Sequence, residues 1–486
     1  MFTAYTYQDW ERTAEGGRSE LLMQIINRYK ASDEFSRALT AQRYFEGENT
    51  AVLEKVILRK GRYEYQTHDD SGRTVTKYVE RTEHLKGAQV ASNFLFRFAT
   101  QLNQYVLANG VQINKAPSAD ILGGGFDKVL EQMGEKALLH GVCWGFWNAD
   151  HLEMIPAARD ALSGFVALVD EQTSLPRLGV QFWQIETTRP LHIRLFEEDG
   201  VTLYRKDKEN ALTVLQPKRP YKLMTARDAA GELVVGAENY IRLPVIPLYA
   251  NAEQRSEMTT AIKAKIDAYD RIASDFVDNL DQANDVYWVL NNFGGNTSEM
   301  LDMIRQVREY RIVANISDGT GAASTVEPHA FEVPYAARKT SLELLERELY
   351  RDSMALDPHE LTGGSLTNVA IRAAMVNLNL KADRYEWQAY AFVQQLLRLI
   401  GRDTEDITFR RQTIANDSEM VNDIALMRDY IDDRTALELN PYIPADQIDQ
   451  ILANVDAQRL TGFTSAQAAD AVQGGGAPDG REPQKV

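Results

Sequence analysis

The apolar residues of this chain fall into two kinds of pattern. Toward both ends they recur every three or four positions. In the middle they gather in short runs separated by glycine, proline or charged turns. The longest helical pattern is "SLTNVAIRAAMVNLNLKADRYEWQAYAFVQQLLRLI", from Ser365 to Ile400, which holds neither proline nor glycine. At about 1.5 Å per residue it predicts a rod of roughly 50 Å, starting after the pair Gly363 and Gly364 with Ser365 as its cap. Within it Ile371, Met375, Leu378, Ala382, Tyr385, Ala389, Phe392, Leu396 and Leu399 alternate steps of four and three. Val369, Val376, Leu380, Val393 and Leu397 form a second strip. A helix that is apolar on two sides has neighbours on two sides. Those neighbours are either adjacent subunits or the rest of its own core.

A second rod is predicted from Asn251 over "NAEQRSEMTTAIKAKIDAYDRIASDFVDNLDQAND". There Ile262, Ile266, Tyr269, Ala273, Phe276 and Leu280 form one narrow stripe. Lys263, Lys265, Asp267, Asp270, Arg271, Asp275 and Asp278 are assigned to the other faces. A third, "AARKTSLELLERELYRDSMAL", keeps Leu342, Leu345 and Leu349 in register and ends before Pro358. Between these two rods lies a small mixed module, with "VYWVL" and "RIVANI" as candidate strands around a helix "SEMLDMIRQVREY". The rods are expected to run antiparallel and to hold this module at their far end.

Before them, residues 18 to 58 read as helical with a break at Gly47, and a helix is expected over "HLKGAQVASNFLFRFATQLNQYVLANG". From about 136 to 250, "GFVALVD", "GVQFWQIET", "LHIRLFEED", "VTLYRK", "YKLMTARD" and "ELVVGAENY" predict a twisted antiparallel sheet, and "LPVIPLYAN" an extended exit. After Gly401 come a β-like "DITFRR" and three helical patterns, then a tail rich in glycine and proline. The fold class expected is therefore α+β with unusually long helices.

The formal net charge of the 486 residues is −17. That argues against a free-standing nucleic-acid binder, which carries a basic face, but not against a protein that touches DNA without gripping it. Residues 416–470 alone hold 11 acidic and 3 basic side chains. The lone Cys143 excludes an internal disulfide and, among Val142, Trp144 and Phe146, reads as a small buried apolar residue. The opening "MFTAYTYQDW" lacks the layout of a signal peptide and no run approaches the length of a membrane span, so a cytosolic protein, or one assembled in the cytosol, is expected.

Chemistry is hard to find. There is no phosphate-cradling G-x-x-x-x-G-K-[ST] loop, no H-E-x-x-H and no G-x-S-x-G elbow. The seven histidines are scattered; His140 reads as a satisfied core residue and His359 as a loop residue. Nothing nominates one carboxylate pair over another. The expectation is a non-enzyme with no cofactor and no metal. A hydrolase built on an unmarked carboxylate pair stays open as a remote alternative.

The order of the pieces resembles a tailed-bacteriophage portal protein of the SPP1-type siphovirus family. "RYFEGENT", "QVASNFLFRFATQLNQYVLANGVQI", "LPVIPLYANAEQRSEM", "VPYAARKTSLELLERELY", "LTGGSLTNVAIRAAMVNLNLKAD" and "IDDRTALELNPYI" carry the likeness, over about 20 to 455. The loop helix departs from it, reading "TNVAIRAA" where the family has Gly-x-Ala-Leu-Lys.

The resemblance implies a ring, dodecameric in the family, at one capsid vertex of a virion assembled in the host cytoplasm. A separate terminase large subunit drives double-stranded DNA through the ring, and the DNA later leaves through it. A head-tail adaptor and the major capsid and scaffold proteins are the other partners implied; no membrane is. By carry-over, 1–250 is the wing, 251–285 and 334–356 the stem, and 286–333 the clip. Residues 357–366 become the tunnel loop, 367–401 the long helix, 402–472 the crown and 473–486 a disordered tail.

Thr362, Gly363, Gly364, Ser365 and Thr367 are the residues expected near DNA, with a glycine pair that only frees the backbone before the Ser365 cap as the other reading. Lys263, Lys265, Arg271, Arg372, Lys381 and Arg384 are candidate basic positions in the lumen, with surface or intersubunit ion pairs as the other reading of each. Ile371, Met375, Leu378, Tyr385, Phe392 and Leu396 are expected as the seam between subunits. A virion ring or scaffold component without a channel is the alternative.

Overall fold

The computed structural model describes residues 4–53, 56–68, 71–207, 212–227, 233–283, 287–291, 325–329, 335–361, 367–411, 417–440, 442–444, 447–455 and 457. The chain forms two compact units, one of residues 1–355 and 377–412, the other of 356–376 and 413–486.

The larger unit is α+β. Its six-stranded sheet is a sequential antiparallel meander running from Ala158–Asp160 through Ser163–Val169, Pro176–Trp183, Leu191–Glu197 and Gly200–Lys206 to Thr213–Arg219. The expected β region is therefore present, with strands that its short runs did not mark. Thr213–Arg219 is exposed at every position and shows no amphipathic signal. Its Pro217 removes a backbone donor from an edge strand, which discourages further pairing.

One face of the meander is covered by the helices Arg18–Lys30 and Asp33–Phe45. Leu22, Ile25, Ile26, Tyr29 and Phe35 pack there against Val166, Leu168, Val180, Phe182 and Leu195. Ser32 separates the two helices by accepting the Phe35 N–H at 3.2 Å, so the helical block breaks before Gly47 as well as at it.

A second, three-stranded sheet places Val142–Asn148 between Val245–Tyr249 and His151–Pro156. "VCWGFWN" is thus a central strand, buried on both faces. The extended "VIPLY" exit is its neighbour. Gly141, with φ at 86°, closes the Phe126–His140 helix and turns the chain into this strand. That backbone region disfavours side chains.

Two corrections concern the region before Phe94. Val56–His68 and Thr74–Lys86 form a regular antiparallel hairpin, where helix was expected to reach 58. The helix expected from His84 begins only at Phe94 and ends at Leu107. The segment between the hairpin and that helix is not helical because its backbone donors find side-chain acceptors on another helix, described below.

In the smaller unit Pro358–Leu361 is a short 3-10 turn and Asn368–Ala374 a helix. The helices Asp417–Leu426 and Asp433–Glu438 and a helical stretch at 448–455 follow. His359 is exposed in the turn, as a loop residue would be.

Candidate functional site

The helices Thr260–Ala283 and Tyr335–Ser353 pair antiparallel. Lys265 lies 3.2 Å from Glu348 and 2.8 Å from Asp352. Further along, Arg338 donates to the Asp275 carbonyl at 3.0 Å and Phe276 meets Tyr335 at 5.7 Å between ring centroids. Positions rise on one helix as they fall on the other, as the sequence predicted. The first helix starts nine residues later than expected. Asn251 folds residues 251–255 into a turn by accepting the Arg255 N–H at 3.0 Å, and Thr259 then caps the helix at the Ile262 N–H at 3.2 Å.

Of its predicted stripe, Ile262 and Ile266 are buried, Tyr269 stands edge-on to Phe94 at 5.0 Å, and Leu280 is exposed. Burial thus fades along the helix. The far strands pair as Tyr287–Asn291 with Thr325–His329. The expected strand at 311–316 and the helix at 298–310 lie outside the described residues.

The long rod is divided. Asn368–Ala374 and Val376–Leu399 are separated at Met375. Its cap is Thr367, whose hydroxyl accepts the Ala370 N–H at 3.3 Å, rather than Ser365. Thr362, Gly363, Gly364 and Ser365 lie outside the described residues.

The predicted intersubunit seam is corrected. Ile371, Met375, Leu378, Tyr385, Phe392 and Leu396 are all buried within a single chain. Phe392 lies over Gly145 of the central strand, and the Tyr385 hydroxyl donates to Asn103 at 2.9 Å. Residues already inside one protomer cannot also face another. The second strip divides. Val393 and Leu397 join the core, while Val369, Val376 and Leu380 are exposed, as is Trp387.

The candidate lumen cations are almost all engaged within the chain. Lys263 lies 2.7 Å from Asp267. Lys265 holds Glu348 and Asp352, and that hydrogen bonding, to Asp352 first, pushes its pKa up. Arg271 donates to the Asp267 carbonyl at 3.0 Å. Arg384 pairs with Glu253 at 3.1 Å. Lys381 is the most enclosed. It reaches Glu257 at 2.5 Å and the Ser353 carbonyl at 2.7 Å, with side-chain exposures of 14% and 16% for the ion pair. Among the described residues Arg271, held by a backbone carbonyl, and Arg372 are the two members of this set without an ion pair.

Two groups deserve chemical scrutiny. Cys143 is fully buried, and burial pushes its thiol well above the ordinary range. It behaves as the small core residue predicted. His140 is buried as expected, but among the described residues neither ring nitrogen has a hydrogen-bond partner, so it is not the satisfied residue foreseen. Burial, aided by Lys136, pushes its imidazole down to about 3.

The folded chain therefore keeps His140 neutral where an unfolded chain protonates it. Its contribution makes stability fall as pH drops from about 6.5 toward 3, with a slope approaching about 1.4 kcal/mol per pH unit. His140→Leu is expected to remove that slope. Denaturant unfolding at pH 7, 6, 5 and 4 checks this, and parallel curves for the two proteins would refute it. Among the described residues no group of three or more His, Cys, Asp or Glu could hold a metal ion, and no helix is long and apolar enough to cross a membrane.

Sequence reasoning missed Asp270, Ser274 and Asp278. It placed the two aspartates on the polar outer faces, yet Asp270 and Ser274 are fully buried. Burial pushes the Asp270 carboxyl above its usual range, against the donors of Ser92 and Asn49. The available signal was three short polar residues at a spacing of four.

The larger unit thus combines an α+β body with an antiparallel pair of long helices. Residues 26–458 match the family described as phage portal protein, SPP1 Gp6-like, and the chain belongs to that family. The portal protein of Clostridium phage phiCD119 is 21% identical over 397 residues, covering 78% of this chain and 84% of its own. The portal protein of Bacillus phage SPP1 is 30% identical over 229 residues, covering 43% of this chain and 44% of its own. A chain in the virion of a native gene transfer agent particle matches with a TM-score of 0.40 at 12% identity, covering 74% of this chain and 89% of that one. A chain in the neck of an empty gene transfer agent particle gives 0.37 at 13%, with 74% and 90% covered.

Proposed function

We propose that copies of this portal protein close into a ring, dodecameric as the resemblance implies, whose channel passes double-stranded DNA during packaging and ejection. The family match over 26–458 carries this reading. In it, residues 1–250 are the wing, 251–285 and 334–356 the stem, 286–333 the clip, 357–366 the tunnel loop, 367–401 the long helix and 402–472 the crown. The clip meets a terminase large subunit during packaging and a head-tail adaptor afterwards, and the capsid and scaffold proteins surround the wing.

The charge pattern supports a wall that DNA slides past. A channel lined with free lysines would bind the duplex tightly, because each neutralised phosphate releases counterions. Here Lys263, Lys265, Lys381 and Arg384 are neutralised by carboxylates of their own chain. Contacts between copies fall on faces that the protomer leaves open, including Leu380 and Trp387 of the long helix, and no longer on the buried stripe.

Electron-microscopic reconstruction of the purified protein tests this. The expected result is a closed ring with a central hole about as wide as a DNA duplex and Leu380 and Trp387 against the next copy. A compact monomer, or a ring with both side chains in solvent, contradicts it. Gly363→Ala combined with Gly364→Ala is expected to leave assembly intact and to lower DNA packaging or retention. Undiminished packaging removes the tunnel-loop role from these glycines.

A further inference from the structure

Residues 87–93 run without regular secondary structure beside the Thr260–Ala283 helix, and we infer that they form a cooperative latch that fixes the base of the Val56–Lys86 hairpin to that helix. The latch has three rungs. Asp278 Oδ1 accepts the Ala88 N–H at 2.7 Å. Ser274 Oγ accepts the Val90 N–H at 3.1 Å and returns its own proton to the Val90 carbonyl at 3.5 Å. Asp270 Oδ1 accepts the Ser92 N–H at 2.9 Å.

The rungs exist because two periods nearly coincide. Helix residues four apart rise about 6.0 Å along the axis. Extended residues two apart advance about 6.6 Å. The mismatch of about 0.6 Å per rung is small enough for three consecutive bonds. The next step toward the start of the helix is apolar. Ile266 and Phe94 are both buried there, so the polar ladder passes directly into the core.

Both legs of the hairpin meet at the last rung. Asn49, fully buried on the incoming leg, donates from Nδ2 to the other Asp270 oxygen and to the Ser92 carbonyl at 2.9 Å. Higher up, Gln89 Nε2 donates to the Leu53 carbonyl at 2.9 Å. The Asp270 carboxylate thus ties together the helix, the incoming leg and the outgoing leg.

Cooperativity follows from the balance of terms. A single hydrogen bond contributes about as much as ordering one residue costs. A seven-residue strap with three amides accepted by one helix, and an exposed Val90 on the outer side, is not held by two rungs out of three. Losing one rung releases the strap as a unit. While the latch is closed, a displacement of the Thr260–Ala283 helix carries the hairpin with it. Each hairpin strand spans 13 residues, about 40 Å, so the movement at its root is amplified at its tip. Once the latch opens, the hairpin swings independently. This inference does not depend on the ring.

Amide hydrogen exchange on the full chain, resolved to single residues by fragmentation, decides the matter. Asp278→Ala is expected to speed exchange at Ala88, Val90 and Ser92 alike, by about tenfold or more. Amides of the Phe94–Leu107 helix should stay at their wild-type rates. Ser274→Ala, which removes one hydroxyl oxygen, is expected to give the same pattern and serves if Asp278→Ala perturbs the wider fold. Acceleration confined to the amide opposite the altered side chain would show three independent bonds and overturn the latch. Unchanged exchange at all three amides would overturn it as well.

Discussion

Lys381→Met lowers the stability of the protomer by about 3 kcal/mol, because it leaves the carboxylate of Glu257 enclosed without its partner. Lys381 sits on the Val376–Leu399 helix. Its ammonium reaches Glu257, just before the Thr260–Ala283 helix, and the Ser353 carbonyl at the end of the Tyr335–Ser353 helix. A cation at a helix C-terminus is favoured by the dipole and by the unpaired carbonyls there. One side chain therefore clamps three helices where they converge. The Glu257 backbone is itself held, since its N–H donates to the Leu138 carbonyl at 2.9 Å. Chemical denaturation followed by fluorescence measures the loss. Glu257→Leu added to Lys381→Met is expected to restore more than half of it. A single variant within about 1 kcal/mol of wild type would show that the pair is solvated well enough to be dispensable.

Gly134→Ala is expected to cost about 3 kcal/mol or more. Gly134 lies in the Phe126–His140 helix where it crosses both the Phe94–Leu107 and Val376–Leu399 helices. A Cβ there would overlap Asn103 Oδ1 and the Tyr385 hydroxyl and come within 2.7 Å of Leu107 Cδ1. The first two are partners in a buried hydrogen bond of 2.9 Å, and Asn103 also donates to the Glu131 carbonyl at 2.9 Å. Tyr385 is 1% and Asn103 3% exposed, so neither has room to yield. The methyl group would have to break the bond or part the helices. Tyr385→Phe alone is expected to cost about 1–3 kcal/mol for the abandoned Asn103 oxygen. Its presence should lessen the harm of Gly134→Ala, because the hydroxyl no longer competes for the space. A thermal or denaturant midpoint for each single and double variant tests this, and strict additivity would argue against direct contact.

Much of the architecture was legible because it is periodic. The stripe of Ile262, Ile266, Tyr269 and Phe276, and that of Leu342, Leu345 and Leu349, marked the paired helices, and Pro358 marked where the second must stop. The short apolar runs marked most strands of the meander. The hairpin from Val56 to Lys86 was hidden because its strands carry charged residues such as Arg59, Arg62, Glu80 and Glu83 among few apolar ones. The strap after it was read as helix because nothing in "GAQVASN" forbids one. Its non-helical form depends on acceptors nearly two hundred residues away.

The amino-acid sequence by itself determined the two paired helices, their antiparallel arrangement, the sheet region and the family. Those properties follow from local spacing, residue type and the order of segments. Only the tertiary structure decided what each apolar or charged side chain faces. Periodicity states that Tyr385 and Phe392 need a neighbour, and it cannot name Asn103 and Gly145 within the same chain rather than another copy. Charge states that Lys381 and Asp270 need partners, and distance in space, not in sequence, selects Glu257 and Ser92. A side chain's contacts are made across the fold, so they exist only once the separate elements have been brought together.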